Sequence, residues 1–303
     1  MAVIPLTQVG PADGENFEHQ WAGEYVQAHL LSDVGKKREH NEDSCVLCTP
    51  EDVALAEQRG LLLAVADGMG GASAGECASR MALETIVEKY YTSPSGSVPD
   101  RLREALEDAN SRVFEESEAI PEYHGMGTTA SVLVVHGDCA YIAQVGDSRV
   151  YVSRGKEGLL QITHDHSLVA EQVRSGYISA EEARNHSLKN LITRAVGIKS
   201  TVKIDLFSFR LKQGDTMLIC SDGLSNLVKD EEISRVLEMD NLQGAARILV
   251  GRALDEGGSD NVTAVLVRVT QSPQKYTIEE GAEEVSLPKT GIMDKFKGLL
   301  GKR

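Results

Sequence analysis

The chain of 303 residues carries 46 acidic and 31 basic residues, which give it a formal net charge of −15 at pH 7. That balance argues against nucleic acid or an anionic membrane surface as the main partner, because a surface so negative repels both. Hydrophobic residues make up 41% of the chain, as expected for a folded globular protein, and no apolar run reaches the length of a transmembrane helix.

The N-terminal interval, residues 1–24, is polar and contains several prolines and glycines, so an irregular lead-in is expected. It lacks the basic start of a secretory signal. The five cysteines are an odd number, and Cys45 and Cys48 are the only close pair, within a segment that predicts a strand. Residues three apart in a strand point to opposite faces, so we expect small buried hydrophobes here and no zinc site. A cytoplasmic protein with reduced thiols is therefore expected.

The first regular elements follow from hydrophobic patterns. Residues 26–32 predict a strand, and residues 61–66 form a nearly continuous apolar run, which predicts a strand buried on both faces. Apolar residues at helical spacing from Cys77 to Tyr90 predict a helix. A second helix is expected to begin near Pro99, because proline is favoured in the first turn.

Short strand-like runs dominate the middle of the chain. Residues 128–135, 139–145 and 149–153 are such runs, joined by hairpin-like connections, which predicts a mostly antiparallel sheet. Residues 164–197 instead contain charged helical segments and little core-type sequence, so we expect a surface flap there.

The last third returns to strands and helices. Strands are predicted at residues 203–211, 216–220 and 262–269, and helices near residues 231–237 and 242–254. This order predicts an α+β fold in which helices cover antiparallel sheets, in a domain of residues 25–270. Residues 271–303 are expected to form an acidic linker and a short amphipathic tail. So short a stretch is marginal alone, which favours a frayed or self-docked tail over a membrane anchor.

Four aspartates lie beside glycines and far apart in the chain: Asp67, Asp147, Asp222 and Asp260. Three of them follow or interrupt a strand-like run, which places a carboxylate at a strand end where glycine lets the backbone turn sharply. Any single pair is more often an ordinary turn. Together, however, such carboxylates are the ligands that a cluster of hard divalent cations requires, and they predict a metal-dependent hydrolase.

These aspartates belong to an ordered array of short motifs. In chain order the motifs are Arg38-x-x-Asn41-Glu42-Asp43, Asp67-Gly68-Met69-Gly70-Gly71, Gly125-Met126-Gly127-Thr128-Thr129, Gly146-Asp147-Ser148-Arg149, Ser221-Asp222-Gly223-Leu224 and Gly257-Gly258-Ser259-Asp260-Asn261-Val262-Thr263. The array closely resembles the PP2C (PPM) family of metal-dependent protein serine/threonine phosphatases, in its compact bacterial form, over roughly residues 25–270. The resemblance implies a four-layer α-β-β-α sandwich of two mostly antiparallel sheets flanked by helices.

The resemblance also implies a set of metal ligands. Asp67 would bridge two core cations, and the backbone carbonyl of Gly68 would also reach a metal. Asp222 and Asp260 would complete the ligands of the first metal, and Glu42 would serve the second, directly or through water. Ligands that are all oxygen favour Mn²⁺ or Mg²⁺ over zinc.

Three further roles follow from the same resemblance. Asp147, with Asp222, is similar to the site of a third, looser metal in bacterial relatives. Asp43 would orient a metal-bound water, and Arg38 matches the residue that clamps the substrate phosphate, for which a forked guanidinium is suited. Phosphoserine or phosphothreonine would be hydrolysed by a water or hydroxide that bridges the metals, since two cations about 3.5–4 Å apart lower its pKa.

Met69 departs from the pattern of many animal members, which carry a histidine that is thought to protonate the leaving alkoxide. A methionine cannot do so. The task would pass to metal-bound water or to a residue of the flap. His40, His164 and His166 are candidates by position only, and for each of them a role outside catalysis is more common.

Other phosphatase chemistries lack their residues in this sequence, since no cysteine precedes an arginine by six positions and no Asp-x-Asp occurs. A catalytically inactive module that binds phosphoproteins is the alternative, although such relatives typically lose the metal aspartates or the phosphate arginine. All of these are present here. We expect a monomeric enzyme that acts on phosphoproteins, opposes a serine/threonine kinase and selects its substrates through the flap.

Overall fold

The computed structural model of the chain describes residues 6–11, 14–50 and 52–287. Its strands are β1 (Leu6–Gly10), β2 (Phe17–Ala22), β3 (Val26–Asp33), β4 (Asp43–Thr49), β5 (Leu61–Met69), β6 (Gly127–Thr128), β7 (Ala130–His136), β8 (Cys139–Val145), β9 (Arg149–Ser153), β10 (Leu159–Gln161), β11 (Asp205–Arg210), β12 (Thr216–Cys220), β13 (Val262–Val269) and β14 (Glu283–Glu284). Its helices are α1 (Val53–Arg59), α2 (Ala72–Thr92), α3 (Val98–Ala119), α4 (Leu168–Arg174), α5 (Ala180–Arg184), α6 (Asp222–Ser225), α7 (Asp230–Leu237) and α8 (Leu242–Asp255).

The strands form two sheets. The order in the first is β1-β4-β5-β7-β8-β11-β14, with β6 paired to the end of β5, and the order in the second is β10-β9-β12-β13-β3-β2. The pairs are antiparallel except for the two-residue pairing of β11 with β14. The predicted α+β fold with mostly antiparallel sheets is confirmed.

Alternating side chains of β5 show how the layers are built. Leu63 and Val65 lie in the core between the two sheets, whereas Leu62 and Ala64 lie in a second core under α2 and α3. This strand is buried on both faces, as its continuous apolar run predicted. A third core joins the outer face of the second sheet to α7 and α8. The result is a four-layer α-β-β-α sandwich.

The predicted helix starts are close to the observed ones. Helix α3 begins one residue before Pro99, and the Ser97 hydroxyl accepts a hydrogen bond from the backbone N–H of Asp100, which caps its first turn. The two charged helices of the flap, α4 and α5, also lie where the sequence predicted them.

Both ends of the chain differ from the sequence expectation. The interval 1–24 was expected to be irregular, yet β1 pairs with β4 and β2 pairs with β3. Both are edge strands whose burial is incomplete, so their hydrophobic pattern is weak. Residues 1–5 and 12–13 of this interval lie outside the described residues.

Residues 271–287, expected to be part of a linker, pack along the first sheet. The N–H of Tyr276 donates to Asp138 Oδ1 at 2.7 Å, and its ring lies 4.5 Å from that of His136. Ile278 packs against the core under α2 and α3, and β14 extends the sheet. The segment is thus part of the fold. The predicted amphipathic tail, residues 291–303, lies outside the described residues.

None of the helices in the described part of the chain is long and apolar enough to cross a bilayer.

Replacement of Tyr276 tests whether the segment after β13 stabilises the fold. Tyr276→Ala removes a half-buried ring from the first sheet, and we expect a loss of about 1–2 kcal/mol, or roughly 2–4 °C in melting temperature. The exposed neighbour, Lys275→Ala, is the matched control and should melt with the parent protein. Calorimetry that finds equal melting temperatures for both variants would mean that residues 271–287 are a loose linker.

Candidate metal centre

The strand ends that carry the predicted aspartates meet at one edge of the sandwich. Asp43 begins β4 and stands opposite Asp67 near the end of β5, in the first sheet. Asp222 follows β12 and Asp260 precedes β13, both in the second sheet. Asp147 follows β8 of the first sheet. The antiparallel order brings the two sheets' contributions to the same edge.

Asp43 connects the two sheets directly. Its Oδ2 accepts hydrogen bonds from Ser221 Oγ and Thr263 Oγ1, both at 2.7 Å, and its side chain is almost fully buried. Burial raises the pKa of Asp43 to about 7, and the nearby charges of Asp260 and Asp222 add to the effect while the two hydroxyls oppose it.

The backbone around Asp67 is fixed on both sides. Its carbonyl accepts hydrogen bonds from Thr129 N and Thr128 Oγ1, and its N–H donates to Thr129 Oγ1, all at 2.9 Å. These bonds fix the backbone that carries the carboxylate, and they do not involve the carboxylate oxygens. Burial raises the pKa of Asp67 well above its ordinary value, and the carboxylates of Asp43 and Asp222 raise it further.

Gly68 lets three chain segments come together. A side-chain carbon at this position would lie 2.1 Å from the Gly75 carbonyl oxygen and 2.6 Å from that of Glu42. Its N–H donates to the Glu42 carbonyl at 3.2 Å. Glycine is therefore required where the start of α2 meets β5.

The loop that carries Asp260 is equally close to its neighbours. A side-chain carbon on Gly223 would lie 1.9 Å from the Asn261 carbonyl oxygen, and one on Gly35 would lie 2.2 Å from that of Asp260.

Asp222 is the first residue of α6, and its Oδ2 accepts from Asn226 Nδ2 at 3.0 Å. Burial raises the pKa of Asp222 to about 6, with a further contribution from Asp260.

Asp147 has an unsatisfied oxygen. The side chain is 6% exposed, and its Oδ1 is buried without a hydrogen-bond partner among the residues that the structure describes. Burial raises its pKa well above the ordinary value, and Asp222 and Asp165 add to this. An orphaned carboxylate oxygen is costly, and a cation is the group that would satisfy it.

Arg38 lies between two of the predicted ligands. Its Nη2 is 2.9 Å from Asp260 Oδ1, and its Nη1 is 3.7 Å from Glu42 Oε1. Glu42 is largely buried, and burial raises its pKa while Arg38 lowers it. The guanidinium is the positive charge that holds these two carboxylates near each other in this structure.

The predicted ligands come together only in part. Within the described ranges, no three histidine, cysteine or acidic side chains already enclose a common metal position. Carboxylates of the cluster nevertheless raise the pKa of their neighbours: Asp222 raises that of Asp43, Asp67 and Asp147, and Asp260 raises that of Asp222. Asp67 lies close enough to Asp222 to lower its pKa through a hydrogen bond, as happens when two carboxyl groups share a proton. Oxygen ligands suit Mn²⁺ or Mg²⁺. The donor set, together with the orphaned oxygen of Asp147, fits hard divalent cations.

The side chain of Asn261 supports the candidate centre through hydrogen bonds to a distant loop, which the sequence did not reveal. Local hydrogen bonds within their own loop are the usual role of an asparagine and a threonine at such positions. Instead Asn261 Oδ1 accepts from Glu42 N at 2.8 Å, and its Nδ2 donates to the carbonyls of Val34 and His40, both at 2.9 Å. This one side chain therefore fixes the whole 34–42 loop to β13.

Ser221 and Thr263 also support the candidate centre. Ser221 Oγ bonds to Asp43 Oδ2 and also accepts from Thr263 N at 3.0 Å, while Thr263 Oγ1 lies 2.7 Å from Ser32 Oγ. Ser221 precedes an aspartate that the motif singled out, but nothing in the sequence shows that its hydroxyl crosses to the other sheet.

Both ring nitrogens of His166 are in contact with neighbouring groups, and Arg194 Nη1 also lies 2.9 Å from Nε2, so this side chain is a poor candidate for the source of a proton. Its Nδ1 accepts from Gly146 N at 3.0 Å, so Nε2 carries the hydrogen and donates to Asp205 Oδ2 at 3.0 Å. Burial lowers its pKa, which keeps the ring neutral. His40 and His164 are exposed, and His164 lines the same cleft as Asp147.

Similarity to known proteins agrees with this geometry. A sequence profile of the family described as protein phosphatase 2C matches residues 35–249. The serine/threonine phosphatase Stp of Listeria monocytogenes is 35% identical over 247 residues, which cover 80% of this chain and 95% of that protein. The protein phosphatase PhpP of Streptococcus pneumoniae is 36% identical over 253 residues, which cover 81% of this chain and 98% of that protein.

Solved structures resemble the fold equally well. The crystal structure of the phosphatase Stp1 from Staphylococcus aureus has a TM-score of 0.74 and 34% identity, and covers 83% of this chain and 98% of its own. The catalytic domain of the phosphatase PstP, crystallised with two manganese ions, has a TM-score of 0.71 and 35% identity, and covers 82% of this chain and 99% of its own.

Neutralising Asp222 tests whether the carboxylates destabilise the metal-free fold. Because the folded pKa is raised, protonation stabilises the protein at low pH, and this contribution is lost as the pH rises through about 6. We expect Asp222→Asn to raise the melting temperature of the EDTA-treated protein by roughly 3–8 °C at about pH 8, and by less at about pH 5. Differential scanning calorimetry measures both values.

With saturating Mn²⁺, the parent protein should instead melt above Asp222→Asn, because the variant has lost a metal ligand and gains less stability from the bound ion. The exposed Asp255→Asn is the control and should shift the melting temperature little under each condition. A metal-free Asp222→Asn that melts below the parent at about pH 8 would show that the carboxylate is not under repulsion.

Proposed function

This chain belongs to the protein phosphatase 2C family and is a protein serine/threonine phosphatase, and we propose that its carboxylate cluster is the metal-dependent centre of that activity. The observation that carries the proposal is the convergence of buried carboxylates from both sheets, with the orphaned Oδ1 of Asp147 among them. A relative in the family, PstP, binds two manganese ions, which supports the same cations here.

In the proposed centre, Asp67 and the carbonyl of Gly68 would hold the two core cations, with Asp222 and Asp260 serving the first and Glu42 the second. Bound Mn²⁺ or Mg²⁺ would supply positive charge that acidifies water and neutralises the phosphoryl group.

Asp43 is proposed to orient the attacking water. Both hydrogen bonds from Ser221 and Thr263 end at Oδ2, which leaves Oδ1 for the water. The position of Asp43 on β4, opposite Asp67, keeps that oxygen beside the ligands.

Arg38 is proposed to clamp the substrate phosphate. Its guanidinium is 42% exposed and forms its ion pairs with Asp260 and Glu42, at the rim of the cluster. When cations neutralise those carboxylates, the two-pronged donor is released for phosphate oxygens.

Asp147, with Asp222, is proposed as the site of a third, more loosely held ion. Both carboxylates line one cleft beside the flap. Protonation of the leaving alkoxide is assigned to water at the centre or to His40 or His164, and His164 lies in that cleft.

We propose residues 25–270 as the phosphatase domain, with the flap at residues 164–197. All residues of the proposed centre lie within it, and the flanking segments add β1, β2 and β14 to its sheets. The substrates are phosphoproteins, and we propose that the enzyme opposes a serine/threonine kinase. We propose a monomer, since the centre draws its residues from one chain, in the cytoplasm, which five free thiols favour.

Hydrolysis of p-nitrophenyl phosphate tests the centre. We expect Mn²⁺-dependent release of phosphate that EDTA and Asp222→Ala each abolish, because the ligand bridges the strand end to the cation. Turnover that survives the loss of Asp222 would rule out the proposed ligand set. An absence of turnover by the parent protein, on this ester and on a phosphothreonine peptide, would favour an inactive binding module.

Arg38→Ala tests the phosphate clamp separately. Loss of a charge-assisted, two-pronged contact should lower kcat/KM for the same ester about 10- to 100-fold, mostly through a higher KM. The neighbouring exposed Lys37→Ala is the matched control and should keep the parent values. If Arg38→Ala and Lys37→Ala have the same kcat/KM, Arg38 does not contribute to substrate binding.

A further inference from the structure

A cleft of about 410 Å³ lies between the carboxylate edge and the flap, and we refer to it as the flap cleft. Asp147 and Asp222 line the cleft from the carboxylate edge. Arg174, Arg184 and Lys189 line it from the flap, on the side that we call the flap wall. Three further charged residues line the cleft: Arg149 and Asp165, which pair with each other, and Asp230 of α7.

The three cations of the flap wall have no carboxylate partner among the described residues. Arg174 Nη1 donates to the backbone carbonyl of Asp165 at 3.1 Å. The side chains of Arg184 and Lys189 make no hydrogen bond or ion pair in that part of the chain. Arg149, at the same cleft, differs because Asp165 neutralises it at 2.7 Å.

The three cations lie in a part of the chain that is less acidic than the whole molecule. The flap, residues 164–197, contains four lysines and arginines and four aspartates and glutamates, whereas the whole chain has a net charge of −15. Uncompensated cations next to a centre of carboxylates indicate a site for an anionic group that is not the metal-bound one.

Helix stability does not account for this placement. Arg174 and Arg184 are the last residues of α4 and α5, where a cation interacts favourably with the helix dipole. That interaction is modest at exposed sites, and it does not apply to Lys189, which lies outside both helices. It also does not explain why both side chains and Lys189 line one cleft beside the centre.

We propose that the flap cleft is a substrate subsite that selects an anionic group close in sequence to the phosphorylated residue. The proposal rests on the proposed function, since the phosphoryl group must occupy the carboxylate edge. The anionic group is either an aspartate or glutamate side chain or a second phosphate, because both present oxygens that guanidinium and ammonium groups bind. Val173 and Ala183 supply the apolar surface against which the peptide would lie.

Matched phosphothreonine peptides test the subsite. One peptide has alanines on both sides of the phosphothreonine, two carry aspartates on its N-terminal or C-terminal side, and one carries a second phosphothreonine. We expect the parent enzyme with Mn²⁺ to favour an acidic peptide over the alanine peptide by about three- to tenfold in kcat/KM, through KM. The preference should fall in about 0.5 M NaCl, which screens exposed charges.

The combined variant Arg174→Gln, Arg184→Gln, Lys189→Gln should bring the ratio between acidic and alanine peptides to less than about twofold. Lys199→Gln, an exposed flap-side cation outside the cleft, is the control and should keep the parent ratio. If the combined variant does not fold, Arg184→Gln alone should lower the ratio in the same direction. A parent enzyme without preference, or a combined variant that retains it, overturns the subsite.

Binding of the same peptides with a non-hydrolysable phosphonate in place of the phosphate separates this proposal from the enzymatic one. Fluorescence anisotropy that depends on the flanking acid supports the subsite even if p-nitrophenyl phosphate is not hydrolysed. Hydrolysis of that ester together with binding that ignores the flanking acid overturns the subsite and leaves the phosphatase centre intact. A preference for aspartate or for the second phosphate identifies which anion the cleft selects.

Discussion

The repulsion between carboxylates at one edge of the sandwich is the constraint on which the structure of this protein depends. Burial and proximity raise the pKa of Asp43, Asp67, Asp147 and Asp222 together, so the fold keeps these groups where they disfavour one another's charge. Such an arrangement persists only when the surrounding structure gains more than the edge loses. Three cores around two sheets provide that gain.

Hydrogen bonds from uncharged side chains connect the two sheets at this edge. The side chains of Ser221 and Thr263 meet Asp43 from the second sheet, and Asn261 fixes the loop before it. Glycines at positions 68 and 223 allow backbones to touch where any side chain would collide. Because none of these groups is charged, they fix geometry without neutralising the carboxylates, and that task is left to Arg38 and to divalent cations.

The flap contacts the edge beside Asp147 and contributes charged side chains to the same cleft. His166 anchors the turn that carries Asp147, through Gly146 on one ring nitrogen and Asp205 on the other. Arg174, Arg184 and Lys189 of the flap line the same cleft as the carboxylates of Asp147 and Asp222. In the two proposals, the substrate is divided between these groups: the phosphate would lie at the carboxylate edge, and a flanking anionic group would lie against the flap cations.

Much of the fold and most residues of the candidate centre could be predicted from the sequence. The buried strand at residues 61–66 and the flap helices have strong local hydrophobic or charge patterns that predict them. The placement of Asp67, Asp147, Asp222 and Asp260 beside glycines predicts the metal chemistry. The strands β1, β2 and β14 escaped prediction, because short edge strands owe their structure to a partner strand and carry little pattern of their own.

The tertiary structure alone decided which neutral side chains support the centre and which histidine is structural. The sequence by itself determined which residue types form the candidate centre, their order and their placement at strand ends, because those depend on local backbone preferences. It could not show that Asn261 reaches Glu42, that Asp43 bonds across the sheets, or that Arg174, Arg184 and Lys189 face one cleft. Such contacts join segments far apart in the chain, and only the packing of two sheets sets their distances.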